Sequence, residues 1–383
     1  MIKTANRLES VQEYYFSRKL REVAQMVAAG NPVINMGVGS PDLAPHPEVV
    51  TAFHDSMSHP KAHMYQSYQG LPALREAIVS FYDTHYKVKL DPETEVLPLM
   101  GSKEGIMHIS MAFLNKGDEV LIPNPGYPTY ASVTKLLEAT PVLYDLTATN
   151  NWQPDFESLE KLDTSRVKIM WINYPHMPTG ADAQDATFDR LITWAKVRKV
   201  LLVNDNPYSF VLTENPKSIL SRPGAMEVAI ELNSLSKSFN MAGWRVGLLS
   251  GKEATIQSVL KVKSNMDSGM FYGIQHGAIA ALKADKAWFE SLNTIYRKRR
   301  RLMEVLVTKF GAEFDTKSVG LFVWAKLPKG SPDSETFINT ILQEKHIFIT
   351  PGTIFGSQGA GYIRFSLCVS EFTIEEAIKR FEV

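Results

Sequence analysis

Short apolar runs rich in β-branched residues alternate along this chain with longer stretches in which apolar residues recur at helical spacing. Continuous apolar runs predict strands buried on both faces, and helix-length stretches such as 103–115 and 187–198 between them are typical of a parallel sheet. The pattern therefore predicts an α/β fold whose strand carboxyl ends gather at one edge, where open sheets bind ligands. The seven predicted strands are Val96–Met100, Glu119–Pro123, Pro141–Asp145, Val167–Asn173, Val200–Asn204, Ala229–Ser234 and Val246–Ser250.

Beyond residue 280 the pattern changes to one long helical stretch, which ends near Gly311 and is followed by further strand candidates. Because 383 residues exceed what one hydrophobic core usually supports, we expect two domains. We assign residues 45–280 to a large domain, and residues 1–44 together with 281–383 to a smaller α+β domain. The strands predicted for the smaller domain are Leu321–Leu327, Ile347–Thr350 and Tyr362–Cys368.

Composition and charge exclude several kinds of partner. Lys+Arg and Asp+Glu balance at 41 each, so no overall field attracts nucleic acid or an anionic membrane surface. The single cysteine, Cys368, excludes an intramolecular disulfide and a multi-cysteine zinc site. The N-terminus carries no apolar signal region and no run is long enough to span a bilayer, so we expect a cytoplasmic protein. The basic run Arg297–Arg301 lies inside the long helical stretch, and we expect it to form a solvated helix face.

A lysine, Lys237, lies shortly after the predicted strand 229–234. Ser234 precedes it by three residues and Arg245 follows it by eight, so hydroxyl, amine and guanidinium groups can surround one anionic ligand. A lysine that attacks a carbonyl carbon must lose its proton, and desolvation and nearby cations lower the pKa of a lysine. A loop lysine followed by a structural arginine has the same spacing, so the spacing leaves both interpretations open.

Two other strand ends carry polar groups. A predicted strand runs into Gly101-Ser102-Lys103, where a helix begins, and the free N–H groups and positive dipole end of a helix N-terminus bind anions. An ordinary helix cap has the same composition. Asp205 follows another predicted strand, and a buried carboxylate there needs a cationic partner such as a protonated pyridine nitrogen, with Tyr208 in reach of a phenolic oxygen. A turn that closes the strand is the alternative.

Together with further motifs, these residues resemble the class I aminotransferases of fold type I, which depend on pyridoxal 5'-phosphate. The resemblance covers almost the whole chain, and its motifs occur in the family's order. It implies a fold type I pyridoxal-phosphate-dependent transferase, with a mostly parallel seven-stranded sheet in the large domain and a smaller α+β domain. The motifs are residues 37–42, 65–75, 101–103, 124–128, 173–180, 205–208, 234–245 and 351–366.

The resemblance implies three catalytic residues. Lys237 would bind the cofactor covalently, be displaced by the incoming amino acid, and then move the proton between the substrate's α-carbon and the cofactor. Asp205 would keep the pyridine nitrogen protonated so that the ring can act as an electron sink. Tyr208 would donate a hydrogen bond to the cofactor's phenolic oxygen.

The remaining site residues also follow from the resemblance. It implies Gly101, Ser102, Lys103, Ser234 and Arg245 around the phosphate, with Tyr127 stacked on the ring and Asn173 beside it. Arg364 would hold the substrate α-carboxylate with its planar fork, and the backbone of Gly39 would approach the same carboxylate. Tyr65 would reach the phosphate of the neighbouring subunit, which implies a two-fold homodimer. Without the motifs, Tyr65 and Tyr127 would be interpreted as packed aromatics and Arg364 as a surface residue.

The sequence departs from the family pattern at one position. The family's turn reads Asn-Pro-Thr-Gly, whereas this chain has Met177 in place of the asparagine that donates to the cofactor's phenolic oxygen. A thioether cannot donate a hydrogen bond. Asn173, His176 and a water molecule are the alternative donors of this hydrogen bond. A role for Met177 in apolar packing alone is also open. We predict that the cofactor still binds but that its pKa and absorption differ from those of a Met177→Asn variant.

Substrate choice depends on contacts that the motifs do not fix. The segment 264–269 is similar to the LL-diaminopimelate aminotransferase branch, while aspartate and alanine aminotransferases remain alternatives, with 2-oxoglutarate as the expected acceptor. The same fold carries out β-elimination in cystathionine lyase-like enzymes. It also occurs in ligand sensors fused to a helix-turn-helix, for which the sequence leaves no room before the aminotransferase pattern. The presence of Lys237 argues further against a non-enzymatic sensor.

Overall fold

The computed structural model describes residues 2–382, and this part of the chain folds into three sheets covered by helices. The strands are β1 Ile34–Asn35, β2 Val96–Leu99, β3 Glu119–Asn124, β4 Thr140–Asp145, β5 Val167–Ile172, β6 Leu201–Asp205, β7 Ala229–Ser234, β8 Gly247–Gly251, β9 Glu313–Phe314, β10 Phe322–Lys326, β11 Ile347–Phe348, β12 Thr350–Pro351 and β13 Tyr362–Ser366.

The helices differ widely in length, from one turn to the long α12. They are α1 Tyr15–Ala28, α2 Pro47–Ser56, α3 Pro72–Tyr86, α4 Ser102–Phe113, α5 Pro128–Leu136, α6 Phe156–Glu160, α7 Asp185–Arg198, α8 Ala225–Val228, α9 Leu235–Ser238, α10 Glu253–Lys263, α11 Tyr272–Leu282, α12 Lys286–Lys309, α13 Ser334–Lys345 and α14 Glu371–Lys379. None of the helices within residues 2–382 has the length and hydrophobicity needed to cross a bilayer.

Local sequence signals account for where several helices begin and end. Pro72 occupies the first position of α3, where its missing N–H and fixed φ are tolerated, and Lys87 ends that helix in the left-handed conformation. The Asp285 carboxylate caps α12 by accepting a hydrogen bond from the Trp288 N–H at 3.0 Å.

The central sheet has the strand order β2-β8-β7-β6-β5-β3-β4. All neighbouring pairs are parallel except those of β8, which runs antiparallel to both β2 and β7. The predicted mostly parallel sheet is confirmed, and each predicted strand end lies within one residue of the observed end.

Both faces of the central sheet are buried. Ile169 and Trp171 of β5 pack into one apolar core, and Met170 and Ile172 pack into the core on the opposite face. Side chains alternate between the faces of a strand, so a continuous apolar run places one apolar residue in each core by turns. This explains why the strands were recognisable from the sequence.

A second, antiparallel sheet has the strand order β12-β13-β10-β9, and β1 pairs with β11 in a separate two-stranded sheet. Ile34 lies opposite Ile347 in that pairing, and Val23 of α1 packs with Leu342 and Phe348. These contacts join the N-terminal segment to the C-terminal part of the chain. They support the proposed small domain of residues 1–44 and 281–383.

Two expectations differ from the structure. The predicted strand Ile347–Thr350 is divided, because β11 pairs with β1 while β12 pairs with β13. The basic run is not a fully solvated face, because Arg299 and Arg300 are buried. Arg299 donates two hydrogen bonds to the Asp42 carboxylate at 2.6 and 2.9 Å, a partner far away in the sequence.

Candidate active site

The strand order brings several polar strand ends to one edge of the central sheet. The antiparallel β8 lies between β2 and β7, so β2 runs in the same direction as β5, β6 and β7. Gly101 follows β2, Asn173 follows β5, Asp205 ends β6 and Ser234 ends β7. The carboxyl edge of a parallel sheet is where ligands bind in open α/β folds.

A cavity of about 480 Å³ opens at this edge. Its wall combines the strand ends with residues from the N-terminal segment and from β10 and β13 of the small sheet. The predicted site residues that line it are Gly39, Ser102, Lys103, Tyr127, Asn173, Asp205, Tyr208, Ser234, Lys237, Arg245 and Arg364.

Two predicted site residues do not line the cavity. Gly101 lies directly behind it, and a Cβ atom there would fall 2.2 Å from Nη2 of Arg245. Tyr65 is 90% exposed on the outer surface of the chain. Gly101 therefore lies next to Arg245, which is one of the residues predicted to bind the phosphate. Tyr65 does not line the cavity of its own chain.

Lys237 lies on the one-turn helix α9, which Ser234 caps by accepting a hydrogen bond from the Ser236 N–H at 3.1 Å. The Lys237 amine donates a hydrogen bond to the carbonyl of Gly39. Burial lowers the pKa of Lys237, and the nearby guanidiniums of Arg364 and Arg245 lower it further, although Cys368 and Asp205 act in the opposite direction. The environment thus favours the neutral, nucleophilic amine.

Asp205 is buried, and only one of its two carboxyl oxygens has a hydrogen-bond partner among the described residues. Its Oδ2 accepts a hydrogen bond from the Tyr130 hydroxyl at 2.8 Å, and the Tyr130 ring stacks on Trp171 with 4.8 Å between centroids. Its Oδ1 has no hydrogen-bond partner among residues 2–382. Burial raises the pKa of Asp205 to about 6, despite the opposing effects of Tyr130 and Lys237. A cationic N–H donor would satisfy the free oxygen and favour the charged form.

Asn173 fixes the loop that carries Met177. Its side-chain amide donates to the backbone carbonyl of Asp205, and its side-chain oxygen accepts from the Met177 N–H at 2.8 Å. His176 directs Nδ1 at the Thr179 hydroxyl, at 2.8 Å, and is absent from the cavity wall. His176 therefore does not line the cavity, whereas Asn173 does, with its side-chain nitrogen and oxygen both bonded to backbone groups.

Arg364 lies buried on β13 and lines the same cavity. Its Nη2 donates to the carbonyl of Gly37 at 2.7 Å, and its Nη1 lies 3.3 Å from the Met177 sulfur. The Nε atom has no partner among the described residues. Burial lowers the pKa of Arg364 to about 10, so the side chain remains a cation at neutral pH. An anionic ligand would satisfy both the charge and the free N–H.

The first turn of helix α4 also places groups that can bind an anion in the cavity wall. Gly101 precedes the helix with φ +93°, a left-handed conformation that favours glycine. Ser102 and Lys103 form the first turn, and the Lys103 ammonium lies 4.7 Å from the centre of the Tyr14 ring. With Arg245 beside them, these groups have the size and charge to hold a phosphate.

Sequence reasoning missed several residues of the site. Tyr130 lies on α5, three positions after Tyr127 at the helix N-cap, and it orients Asp205. Phe16 and Leu20 line the cavity from α1, and their i, i+4 spacing places them on one helix face. That spacing was visible in the sequence, but nothing there indicated which part of the fold α1 covers.

The fold and the cavity define a fold type I enzyme that depends on pyridoxal phosphate. The free oxygen of Asp205 fits the pyridine nitrogen of this cofactor, and the start of α4, where Arg245 lies close to Gly101, fits its phosphate. Lys237 lines the same cavity. The chain belongs to the family "Aminotransferase class I and II", whose profile matches residues 31–381.

The similarity of the chain to individual relatives and to solved structures agrees with this family. The chain is 38% identical to the LL-diaminopimelate aminotransferase of Aquifex aeolicus over 384 residues, which cover 100% of this chain and 99% of the relative. The substrate-bound structure of BacF from Bacillus subtilis has a TM-score of 0.95 and 34% identity, covering 100% of this chain and 98% of that one. An aspartate aminotransferase of Thermus thermophilus shares the fold, with a TM-score of 0.92 at 24% identity and coverage of 100% and 99%.

The protein is therefore a pyridoxal-phosphate-dependent aminotransferase that transfers amino groups between amino acids and 2-oxoacids. The predictions of family, fold type, enzyme class and cofactor are confirmed.

Proposed function

We propose that the aminotransferase reaction takes place at Lys237, with the α-carboxylate of an L-amino acid held by Arg364. The observation that carries the proposal is that one cavity contains a lysine with a lowered pKa, a buried carboxyl group with a free oxygen and a buried arginine with a free N–H. These three groups match a nucleophile, a partner for a pyridinium and a partner for a carboxylate.

Each residue has a separate role in the reaction. The fork of Arg364 orients the donor, and Nζ of Lys237 takes the α-proton and later returns it. Bound pyridoxal phosphate supplies the electron sink for the electron pair left on the α-carbon. Asp205, held by Tyr130, keeps a proton on the pyridine nitrogen, and Tyr208 donates to the adjacent phenolic oxygen. Tyr127 and Asn173 complete the ring site.

The phosphate site is the second part of the proposal. The N–H groups at the start of α4, together with Ser102, Lys103, Ser234 and Arg245, hold the phosphate. Support comes from the close approach of Arg245 to Gly101 and from the position of all four side chains on one cavity wall. A doubly charged phosphate suits a helix N-terminus that is flanked by two cations.

Replacing Lys237 by alanine tests the mechanism. We expect amino transfer to fall by at least about three orders of magnitude, since both the nucleophile and the proton carrier are lost. The covalent attachment of the cofactor, followed by absorption and by mass spectrometry after borohydride reduction, should disappear. Transamination at the wild-type rate in this variant would contradict the proposal.

We also propose a homodimer in which Tyr65 reaches the phosphate of the partner subunit, as the family resemblance implies. Support comes from the exposure of Tyr65 and of the neighbouring Met64. Light scattering measures the assembly, and a Tyr65→Phe variant should bind pyridoxal phosphate more weakly without dissociating. A monomer with full cofactor affinity would contradict the proposal.

The donor and acceptor are proposed from the relatives and the sequence. Relatives named LL-diaminopimelate aminotransferases place that amino acid first in the panel, with aspartate and alanine beside it and 2-oxoglutarate as acceptor. The decisive experiment mixes cofactor-loaded protein with each amino acid and follows conversion of the cofactor to its amino form. Release of pyruvate and ammonia from cystathionine without that conversion would instead identify a β-lyase. Ligand binding without either reaction would identify a sensor.

A cytoplasmic location is the remaining part of the proposal. Fractionation of the source cells with an antibody against the chain tests it, and recovery of the protein with the membrane or exported fraction would contradict it.

A further inference from the structure

The one-turn helix that carries Lys237 is held at both of its ends. Ser234 caps the start of α9, and at its end the indole N–H of Trp288 donates to the carbonyl of Ser238 at 3.2 Å. Carbonyl groups at the end of a helix have no partner inside that helix, so a donor from elsewhere must satisfy them. Ser238 directly follows Lys237 in the chain. The indole therefore holds the backbone next to the reacting amine.

Trp288 is itself held in place at the start of α12. The Asp285 carboxylate accepts a hydrogen bond from its backbone N–H at 3.0 Å. The ring of His46 packs edge-on against the indole, with 5.3 Å between the ring centres. The side chain also packs against both of the large apolar cores. An indole that is fixed on several sides directs its single N–H at one acceptor.

The same end of α12 holds the segment that follows Tyr208. The Asn293 side chain donates to the carbonyl of Phe210 at 3.1 Å and accepts from the Leu212 N–H at 2.8 Å. Phe289 stacks on the Phe210 ring, with 4.3 Å between the ring centres. The start of α12 thus contacts the backbone close to two of the three residues to which we assign catalysis.

These contacts cross the boundary between the two proposed domains. The helix α12 belongs to the proposed small domain, whereas α9 follows β7 of the central sheet. The other connection between the domains, near residue 44, is bonded to the same region, because the Asn240 side chain donates to the carbonyl of Ala44 at 3.0 Å. The backbone around Lys237 is therefore held from the small domain at two points.

We propose that Trp288 is a positioning residue for amino transfer, whose indole N–H fixes the end of α9 and with it the direction in which the Lys237 amine extends. Trp288 does not line the cavity, so it acts through the backbone and not on the substrate. The inference rests on the proposed function, because it assumes that Lys237 is the nucleophile and the proton carrier. Both roles depend steeply on the position of the amine.

Trp288→Phe tests the proposal, because it keeps an aromatic ring and removes the donor. We expect the maximal rate at which an amino acid converts the bound cofactor to fall at least about fivefold, since the amine is no longer held in the reactive direction. The amino acid concentration that gives half of this rate should change less than about twofold, because Arg364 is untouched. Stopped-flow absorption measures both, with the amino acid of the panel above that reacts fastest with the wild type.

Trp194→Phe is the matched control. The indole N–H of Trp194 is buried and has no hydrogen-bond partner among residues 2–382, so this variant loses the same atoms without losing a hydrogen bond. We expect wild-type values for both quantities. Equal slowing in the two variants would show an effect of lost packing and would overturn the proposal. A fall in rate matched by an equal rise in the half-saturating concentration would overturn it as well.

Covalent attachment of pyridoxal phosphate to the cofactor-free protein gives a measurement that does not depend on turnover. We expect attachment, followed by absorption, to be at least about threefold slower in Trp288→Phe and unchanged in Trp194→Phe. Asp285→Ala, which removes the cap of α12 and keeps the indole, is a milder second variant and should slow attachment in the same direction. Wild-type rates in both Trp288→Phe and Asp285→Ala would overturn the proposal.

The Lys237→Ala variant separates this inference from the proposed function. Loss of transfer in Lys237→Ala together with wild-type rates in Trp288→Phe would overturn only the role of Trp288. Transfer at the wild-type rate in Lys237→Ala would contradict the proposed function itself, and with it the role of Trp288 in that reaction.

Discussion

At the scale of single residues, Asp205 shows that a residue of an active site can lower the stability of the folded protein. Its burial raises the pKa to about 6, above the ordinary 3.8, so the folded cofactor-free protein holds a proton that the unfolded chain loses. Between pH 3.8 and about pH 6, the folded protein binds more protons than the unfolded chain. The free energy of unfolding therefore falls as the pH rises through this range. The pKa difference corresponds to a cost on the order of 3 kcal/mol at neutral pH.

Replacing Asp205 by asparagine should remove this cost. We expect the cofactor-free variant to be more stable than wild type at pH 8 and about equal to it near pH 4, while its affinity for pyridoxal phosphate falls at pH 8. Urea unfolding at the two pH values measures the first effect and equilibrium dialysis the second. An equal stability difference at both pH values would refute the role of ionisation.

Met177 is the second residue whose chemistry gives a direct test. An asparagine there would donate to the cofactor's phenolic oxygen and favour its anionic form. We expect Met177→Asn to lower the pKa that the absorption of the bound cofactor reports, by about 1 to 2, in line with a hydrogen bond to a charged group. Met177→Leu, which adds no donor, is the control, and identical titrations of the Asn variant and wild type would contradict the expectation.

At the scale of elements, the start of α4 depends on a glycine for two separate reasons. Gly101 has φ +93°, and a Cβ atom would fall 2.2 Å from Arg245. Gly117 has φ +86° but nothing within 4 Å of such a Cβ, so Gly117→Ala measures the backbone cost alone. We expect Gly117→Ala to lose roughly 1–2 kcal/mol of stability, and Gly101→Ala to lose more because it also carries the clash with Arg245.

Only Gly101→Ala should also displace Arg245 and weaken the binding of pyridoxal phosphate, by at least about tenfold. Thermal unfolding and cofactor titration of the two variants separate the effects. Cofactor affinity that falls equally in both variants would show that the contact with Arg245 is unimportant.

The elements also show what a sequence reveals. Most central strands were predictable because they are buried on both faces, which leaves apolar runs such as residues 169–172, whereas the edge strand β4 is largely exposed. The division of the predicted strand Ile347–Thr350 was not, because its halves pair with different partners. Likewise, the strand ends bearing Asp205 and Lys237 were recognisable from local motifs, whereas Tyr130 acts through a contact across 75 residues.

At the scale of the whole molecule, the pair Arg299 and Asp42 connects distant parts of the chain. Arg299 is 2% exposed on α12, and Asp42 belongs to the segment that carries Gly39 toward Lys237. The burial of this arginine was hidden in the sequence, because a run of basic residues is usually solvated and its acidic partner lies 257 positions away. Folding alone brings the two together.

Removing the charge of Asp42 tests this connection. Asp42→Asn leaves the buried Arg299 guanidinium with only the longer contact of 3.6 Å to the Glu371 carboxylate, and we expect a loss of about 2 kcal/mol of stability together with a raised KM for the amino acid. Glu290→Gln, which breaks the exposed pair with Arg297, should cost less than about 1 kcal/mol and leave KM unchanged. Denaturant unfolding and steady-state kinetics of both variants provide the measurement, and equal costs would contradict the assignment.

The face of α1 that lines the cavity has a consequence for how the donor specificity of this enzyme can be changed. The groups assigned to the chemistry lie close to strands of the sheets, whereas Tyr14, Phe16 and Leu20 lie within residues 14–20, at the start of α1 and the position before it. Changes within that stretch alter the shape and polarity offered to a donor without moving a catalytic group. Libraries confined to residues 14–20 and Val38 are therefore a short route to new donor specificities on an unchanged catalytic centre.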